Sequence, residues 1–500
     1  MKKRYLYIKA IIIGIFASAF LVTSCDDSDF LDINTDPSFP ADATNNLLMP
    51  AAQAGTVFGF SAMLERGAGT MVQHYINGRF DNYGFDGSTY NNAWSFDLYN
   101  GSLFDFKVII DQGTALDEWQ HVGVAKIYTA YTFSLLVDLF GDIPYSEALQ
   151  ADANFNPKAD DGQTIYTDLF RLIDEGIADL DKESTRTLGQ DDLIYGGNLD
   201  NWKKMANTLK LKMYNQIRLV DAGGATTNIN TLIGSGNLIS ASKEDFTFQF
   251  TSSNSPDGRH PNFQADWAAG GLENNLASFM INLMNGNNDP RVPYYFYKQT
   301  GCNLAGRNGG ESGNPGDDNV RAIHGIYPVG GKFDDNSCLV HNETLGLQGA
   351  GIFPMITYTM RLFIQSEAAL TLGTTGDPRQ LLEDAINSAL SDVESMSGIA
   401  MDADDKTNYV AARMAAYDAA VDDNGRLGVI MMEKYVSQFG NGIESYNDLR
   451  RTGFPTNLNT PIVQRGPFPR RFPIPPVEVT ANPNIDPLTD LTSRVFWDIN

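Results

Sequence analysis

Apolar side chains recur along this chain mostly at helical intervals. Between residues 122 and 140 aromatic and aliphatic positions crowd nearly every face, which predicts a helix buried on all sides. Ile165, Leu169, Leu172, Ile173, Ile177 and Leu180 are spaced by threes, fours and one, so all six share one stripe of a second helix. Trp202, Met205, Leu209, Met213 and Ile217 predict a third over 201–220. A later pair spans 360–372 and 381–396, split by Gly373, Gly376 and Pro378. In its second member Leu381, Leu382, Ala385, Ile386, Ala389, Leu390 and Val393 again form a single stripe. Successive amphipathic helices with short turns predict a mainly α fold of tetratricopeptide-like helix pairs, although no strict repeat of about 34 residues aligns.

Between these blocks, 76–101, 221–275 and 299–350 are rich in Gly, Asn, Ser and Asp and predict long loops. Short strands are expected at 246–250 and 294–297, too few for a large sheet. Residues 455–487 hold nine of the 22 prolines and predict extended, irregular chain laid against the body.

The amino-terminal segment reads as a targeting signal. Lys2, Lys3, Arg4 and Lys9 flank an apolar run at 10–22 that is too short for comfortable membrane spanning. The run ends in Leu21-Val22-Thr23-Ser24-Cys25, which resembles a bacterial lipobox, so Cys25 is the expected site of lipidation. Residues 1–24 are then a lipoprotein signal peptide, 25–50 a lipidated acidic tether and 51–500 one helical domain. The run Asp26-Asp27-Ser28-Asp29 resembles the export signal of lipoproteins displayed on the outer face of the outer membrane. Loss of the four basic residues before Cys25 would take the net charge from −25 to −29. A chain this acidic repels phosphate backbones, which argues against a nucleic-acid partner. Cys302 and Cys338 could close a loop in an oxidising compartment or remain as two thiols.

Several segments, read in order, resemble the SusD/RagB family of surface nutrient-binding lipoproteins. They are Gly141-Asp142-Ile143-Pro144-Tyr145-Ser146-Glu147-Ala148, Asp289-Pro290-Arg291 and Met432-Glu433-Lys434-Tyr435. Further along come Tyr446-Asn447-Asp448-Leu449-Arg450-Arg451-Thr452-Gly453, Pro469-Arg470-Arg471-Phe472-Pro473-Ile474-Pro475 and Val495-Phe496-Trp497-Asp498. The resemblance implies four helix pairs scaffolding a loop-rich ligand face. It also implies a partner, a SusC-like TonB-dependent transporter to which a captured oligosaccharide or peptide is passed. A surface adhesin binding another protein is the alternative.

The motifs also have a local physical sense. Gly141 can end a helix, Asp142 can bond turn amides and Pro144 forbids helical continuation, which makes this a scaffold motif. Arg450-Arg451 and Arg470-Arg471 suit pairing with carboxylates such as Asp448 or Glu444, or binding of an anionic sugar. For catalysis there is little. The five histidines stand apart at 74, 121, 260, 324 and 341, with no zinc-helix, nucleophile-elbow or phosphate-loop motif. No cofactor or metal is expected, and Asp402-Ala403-Asp404-Asp405 and Asp334-Asp335-Asn336 read as solvated turns.

Sugars present flat C–H faces, so aromatic rings beside Asn, Asp and Arg are the candidate ligand chemistry. Loop 76–101 offers Arg79, Asp81, Asn82, Tyr83, Tyr90, Asn91, Asn92 and Trp94, and 254–267 offers Asn254, Arg259, His260, Asn262, Phe263 and Trp267. Trp94 and Trp267 lead, followed by Tyr83, Tyr90, Asn92 and Arg79.

Overall fold

The computed structural model describes residues 43–268, 272–311 and 321–500. The signal segment, Cys25 and the acidic run lie outside the described residues. The folded body begins earlier than the sequence suggests. Helix α1, Asn45–Gly59, occupies the end of the expected tether, with Met49, Ala52, Gln53, Thr56 and Val57 buried. Pro50 suggests irregular chain, yet burial of this face and the bond from Asn45 Nδ2 to Glu118 Oε2 (2.8 Å) override it. A π-helical turn, Phe60–Leu64, continues α1 into α2, Glu65–Met71.

The scaffold is built from neighbouring helices. After α3, Phe104–Ala115, comes α4, Trp119–Phe140, which is buried on nearly every face as its sequence predicts. Four pairs follow the expected pattern: α4 with α5, Gly162–Asp179; α6, Leu199–Gln216, with α7, Ala222–Ser235; α8, Tyr358–Leu372, with α9, Pro378–Ser397; and α10, Ala403–Ala419, with α11, Asp423–Ser437. Helix α8 also packs on α6 and α11, while α12, Gly442–Thr452, packs on α2. Gly141 ends α4 at φ +81°, a conformation strained for any residue with a Cβ. Asp142 bonds the amide of Gly162 (3.0 Å) and so ties the turn to the start of α5.

Strands are few and two-stranded. β1, Tyr75–Asn77, pairs with β5, Asn274–Leu276; β2, Ile143–Pro144, with β3, Ala159–Asp160; β4, Phe246–Gln249, with β8, Ile352–Ile356; and β6, Phe296–Tyr297, with β7, Ile323–His324. The strand expected over 294–297 is thus shorter, because Tyr294 and Tyr295 belong to a helical turn.

Two of the expected loops, 76–101 and 221–275, and the expected turn at 402–405 are partly helical. Within 221–275, α7 forms despite its glycines and threonines, because Asp221 caps it and Ala225, Ile229 and Leu232 find an apolar surface. The acidic stretch at 402–405 is a helix start: Asp402 accepts from the amides of Asp404 and Asp405, whose carboxylates sit at the positive end of α10. Cys302 and Cys338 are joined in a disulfide across a separation of 36 residues.

The core carries a polar spine. Buried Asp138 accepts from Tyr166 Oη (2.5 Å), Trp497 Nε1 (2.8 Å) and Asn447 Nδ2 (3.1 Å). Glu367, on α8, takes Arg451 Nη2 at 2.9 Å, Arg218 Nη2 at 3.0 Å and Asn215 Nδ2 at 3.0 Å. Arg451 also pairs with Asp448, as its sequence neighbourhood suggests, whereas Glu444 pairs with Lys212. Arg470 pairs with Asp498. Among the described residues Arg450 forms no ion pair with a carboxylate. Its guanidinium lies 4.1 Å from the Tyr446 ring centroid and 4.7 Å from that of Trp497, and it donates to the carbonyls of Asp138 and Arg470.

Candidate functional site

Two depressions open beside one helix, Ala93–Leu103, which winds with the wide π spacing that frequently marks functional segments. The first has a volume of ≈ 380 Å³, with Trp94, Tyr99, Phe104 and Phe155 as its aromatic wall and Asn100, Gln150, Asn154 and Glu478 as polar groups. The second, ≈ 460 Å³, is bordered by Phe58, Arg66, Asp97, Gln264 and Glu273. Between their contributing residues, Phe96 is 71% exposed.

The walls are held by specific bonds. Trp94 Nε1 donates to Glu478 Oε2 at 3.2 Å, and its ring packs 4.7 Å from Tyr99 and edge-on to Phe140 at 5.0 Å. Tyr99 Oη donates to the Pro144 carbonyl (2.7 Å), so the 141–148 turn fixes a wall of the first depression. In the second, Arg66 is anchored through Nε to Asn262 (2.8 Å) and through Nη2 to the Pro261 carbonyl (2.8 Å), with Nη1 reaching Glu273 at 3.3 Å. Burial raises the pKa of the half-buried Asp97 carboxyl. Each depression thus joins an apolar face to hydrogen-bonding groups, which suits a polyhydroxylated ligand.

The two candidate loops do converge here. The first supplies the 93–103 helix, and the second supplies Pro261, Gln264 and Ala265. The individual rings fare differently. Trp94 is a wall residue of the first depression with 2% exposure. Trp267 is a core ring and not a platform: it stacks on Phe263 at 5.9 Å, meets His341 edge-on, and donates Nε1 to the His324 carbonyl (3.1 Å). Tyr90 is likewise sealed between Phe80 and Phe472, and Tyr83 packs against Phe468. These three rings bury because each finds aromatic neighbours from distant sequence, a gain larger than loop composition suggests. Asn92 and Arg79 are exposed but line neither depression. Phe58, Phe104, Phe155, Gln150, Asn154 and Glu478 escaped sequence reasoning. The usable signal was proximity: 150–155 follows the Gly141 turn directly, and Glu478 follows Pro475-Pro476.

A family model described as "Starch-binding associating with outer membrane", of the SusD-like type, matches residues 41–475. The chain belongs to the SusD-like family. Among solved structures, it is similar to a SusD/RagB family protein from Bacteroides thetaiotaomicron, with 21% identity, 92% of this chain and 99% of that one covered, and a TM-score of 0.74. A chitin-binding protein aligns with 21% identity over 91% of this chain and 100% of its own, at a TM-score of 0.71. A chitin-binding SusD homolog from Flavobacterium johnsoniae aligns with 18% identity, covering 90% and 99%, at 0.69. No curated protein matches. The SusD-like helical fold is therefore common to chains of widely different sequence.

Proposed function

We propose that this SusD-like chain is a lipid-anchored surface protein that captures an oligosaccharide at the two depressions flanking the 93–103 helix. The glycan is then passed to a SusC-like TonB-dependent transporter in the outer membrane. The observation that carries the reading is the family match over 41–475, whose description is of binding and not of catalysis. Aromatic walls with amide and carboxylate rims support a glycan ligand over an extended apolar peptide. Phe96 and Phe155, 71% and 72% exposed, are the rings best placed for a sugar face. Arg79 and Asn92 are free to contact a longer glycan at the edge. Lipidation at Cys25 would hold the chain on the bilayer.

Calorimetric titration against starch-derived and chitin-derived oligosaccharides and a peptide panel tests the ligand class. Phe155→Ala should weaken glycan binding about 30-fold, the loss of a roughly 2 kcal/mol anchor, with thermal stability unchanged. Pull-down from detergent-solubilised membranes should recover a TonB-dependent transporter in comparable amount. Binding of peptides alone, or recovery of the lipoprotein without a transporter, would overturn the reading and favour an adhesin.

A further inference from the structure

A third cavity, also ≈ 380 Å³, lies against the β4–β8 ribbon and shares no lining residue with the two depressions. Asp245 enters it from the start of β4, and Asp392 from α9. Asp392 accepts hydrogen bonds from Ser242 (2.7 Å) and Thr359 (2.6 Å), and Asp245 takes the Tyr358 amide at 2.7 Å. Among the described residues no Lys, Arg or His forms an ion pair with either carboxylate. In the polar spine, by contrast, Glu444, Glu367, Asp289 and Asp448 are each paired with a cation. Burial first, and then the neighbouring carboxylates, push the Asp245 carboxyl up to about 8, and burial raises Asp392 as well.

A second, independent feature points into the same space. Tyr327 lines the cavity and is 6% exposed, yet its hydroxyl has no hydrogen-bond partner among the described residues. The adjacent Tyr295, stacked on it at 5.6 Å, spends its hydroxyl on the Val436 carbonyl (3.2 Å). A phenol whose ring is buried and whose hydroxyl is accessible at the cavity without a partner among the described residues, beside two acids without cations, marks a place for a complementary group. The start of α8 faces this region, but its amides are already taken by Asp245 and by Thr357 Oγ1, so it does not make an anion site. The remaining wall mixes hydroxyls and an amide (Thr247, Gln249, Thr357, Ser395) with Met360 and Met396.

We propose that this cavity binds a primary ammonium group carried on a hydroxylated body of monosaccharide size, that is, an amino sugar whose amine is free. Asp245 and Asp392 hold the ammonium, the Tyr327 hydroxyl bonds a ring substituent, and the wall hydroxyls serve the remaining ones. A bare metal ion would leave most of the volume unfilled. The site is separate from the glycan-capturing depressions, so it stands or falls without them.

The probe is glucosamine, titrated calorimetrically into the full chain. N-acetylglucosamine carries the same body without the charge, and putrescine carries ammonium groups without the ring. Glucosamine should bind at least about tenfold more tightly than either, since charge-assisted bonds to carboxylates are the stronger ones. Asp392→Asn should weaken it by about tenfold or more, and Tyr327→Phe by severalfold without changing the melting profile, because that hydroxyl bonds none of the described residues. Phe155→Ala, in the first depression, should leave glucosamine binding as it was. Equal binding of the N-acetylated sugar, displacement of glucosamine by Ca²⁺, undiminished binding by Tyr327→Phe, or no saturable binding of glucosamine would each overturn the proposal.

Discussion

Replacing Glu367 by glutamine tests the polar spine with the smallest change of shape. In the folded chain this carboxylate is completely buried and faces two guanidiniums, Arg451 and Arg218, together with the Asn215 amide. Burial by itself favours the neutral acid, but the two arginines reverse this and hold the group at about 2, below its ordinary 4.5. Glutamine retains one acceptor but removes the charge. Arg451 keeps Asp448, whereas Arg218, at 4% exposure, is left beside only the Asn215 carbonyl at 3.5 Å. Breaking a buried pair on one side costs about 3–5 kcal/mol, so Glu367→Gln should lose about that much in denaturant unfolding at pH 7, with an unchanged m-value. The sign with pH follows from the depressed value. The contribution is complete above about 4.5 and disappears as pH falls through about 2, so variant and parent should converge towards pH 2. A deficit under about 1 kcal/mol at pH 7, or a gap that persists undiminished into acid, would refute the argument.

Three further outcomes are expected. Trp267→Ala should cost about 3–5 kcal/mol of stability while leaving glycan affinity unchanged, since the ring is core; a melt like the parent's would contradict its placement. His324 is pushed from 6.5 down to about 3, first by burial, so its contribution to stability is present above pH 6.5 and is lost as pH falls. His324→Gln should therefore regain about 1.4 kcal/mol relative to the parent between pH 7.5 and 5.5 in paired denaturation curves, and a constant gap would count against it. Cys25→Ala should yield a chain that no longer partitions with membranes, measured by detergent phase separation, and retained partitioning would remove the anchor.

How much of this was legible depended on the range of the interaction. The stripe Ile165 to Leu180 and the all-round burial of 122–140 are local periodicities, and both appear as helices where expected. Helix α7 was hidden because its residues favour turns in isolation, and only the apolar surface of Leu211, Ile364 and Ala368 decides the matter. Arginine partners divide the same way. Asp448 sits three residues before Arg451 and was legible, but Glu367 is 84 residues away and was not. Trp267 looked like a platform because its neighbours in sequence are polar, whereas its neighbours in space are Phe263, Tyr297 and His341. Of the two depressions, the sequence pointed to loops that border them, but the rings left uncovered nearby are phenylalanines, Phe96 and Phe155, whose exposure no local pattern announces.

The bonds that Asp138 accepts from Asn447 and Trp497 have a consequence for how the chain is made. They span 309 and 359 residues, so the end of α4 cannot be completed until almost the whole polypeptide exists. At ordinary ribosomal speeds of about 5–20 residues per second, the wait is on the order of 20–70 s. Throughout that interval one of the most apolar segments of the chain lies without its final partners. A nascent chain in this condition stays loose around α4, and it locks there only after Asn447 and Trp497 have been made.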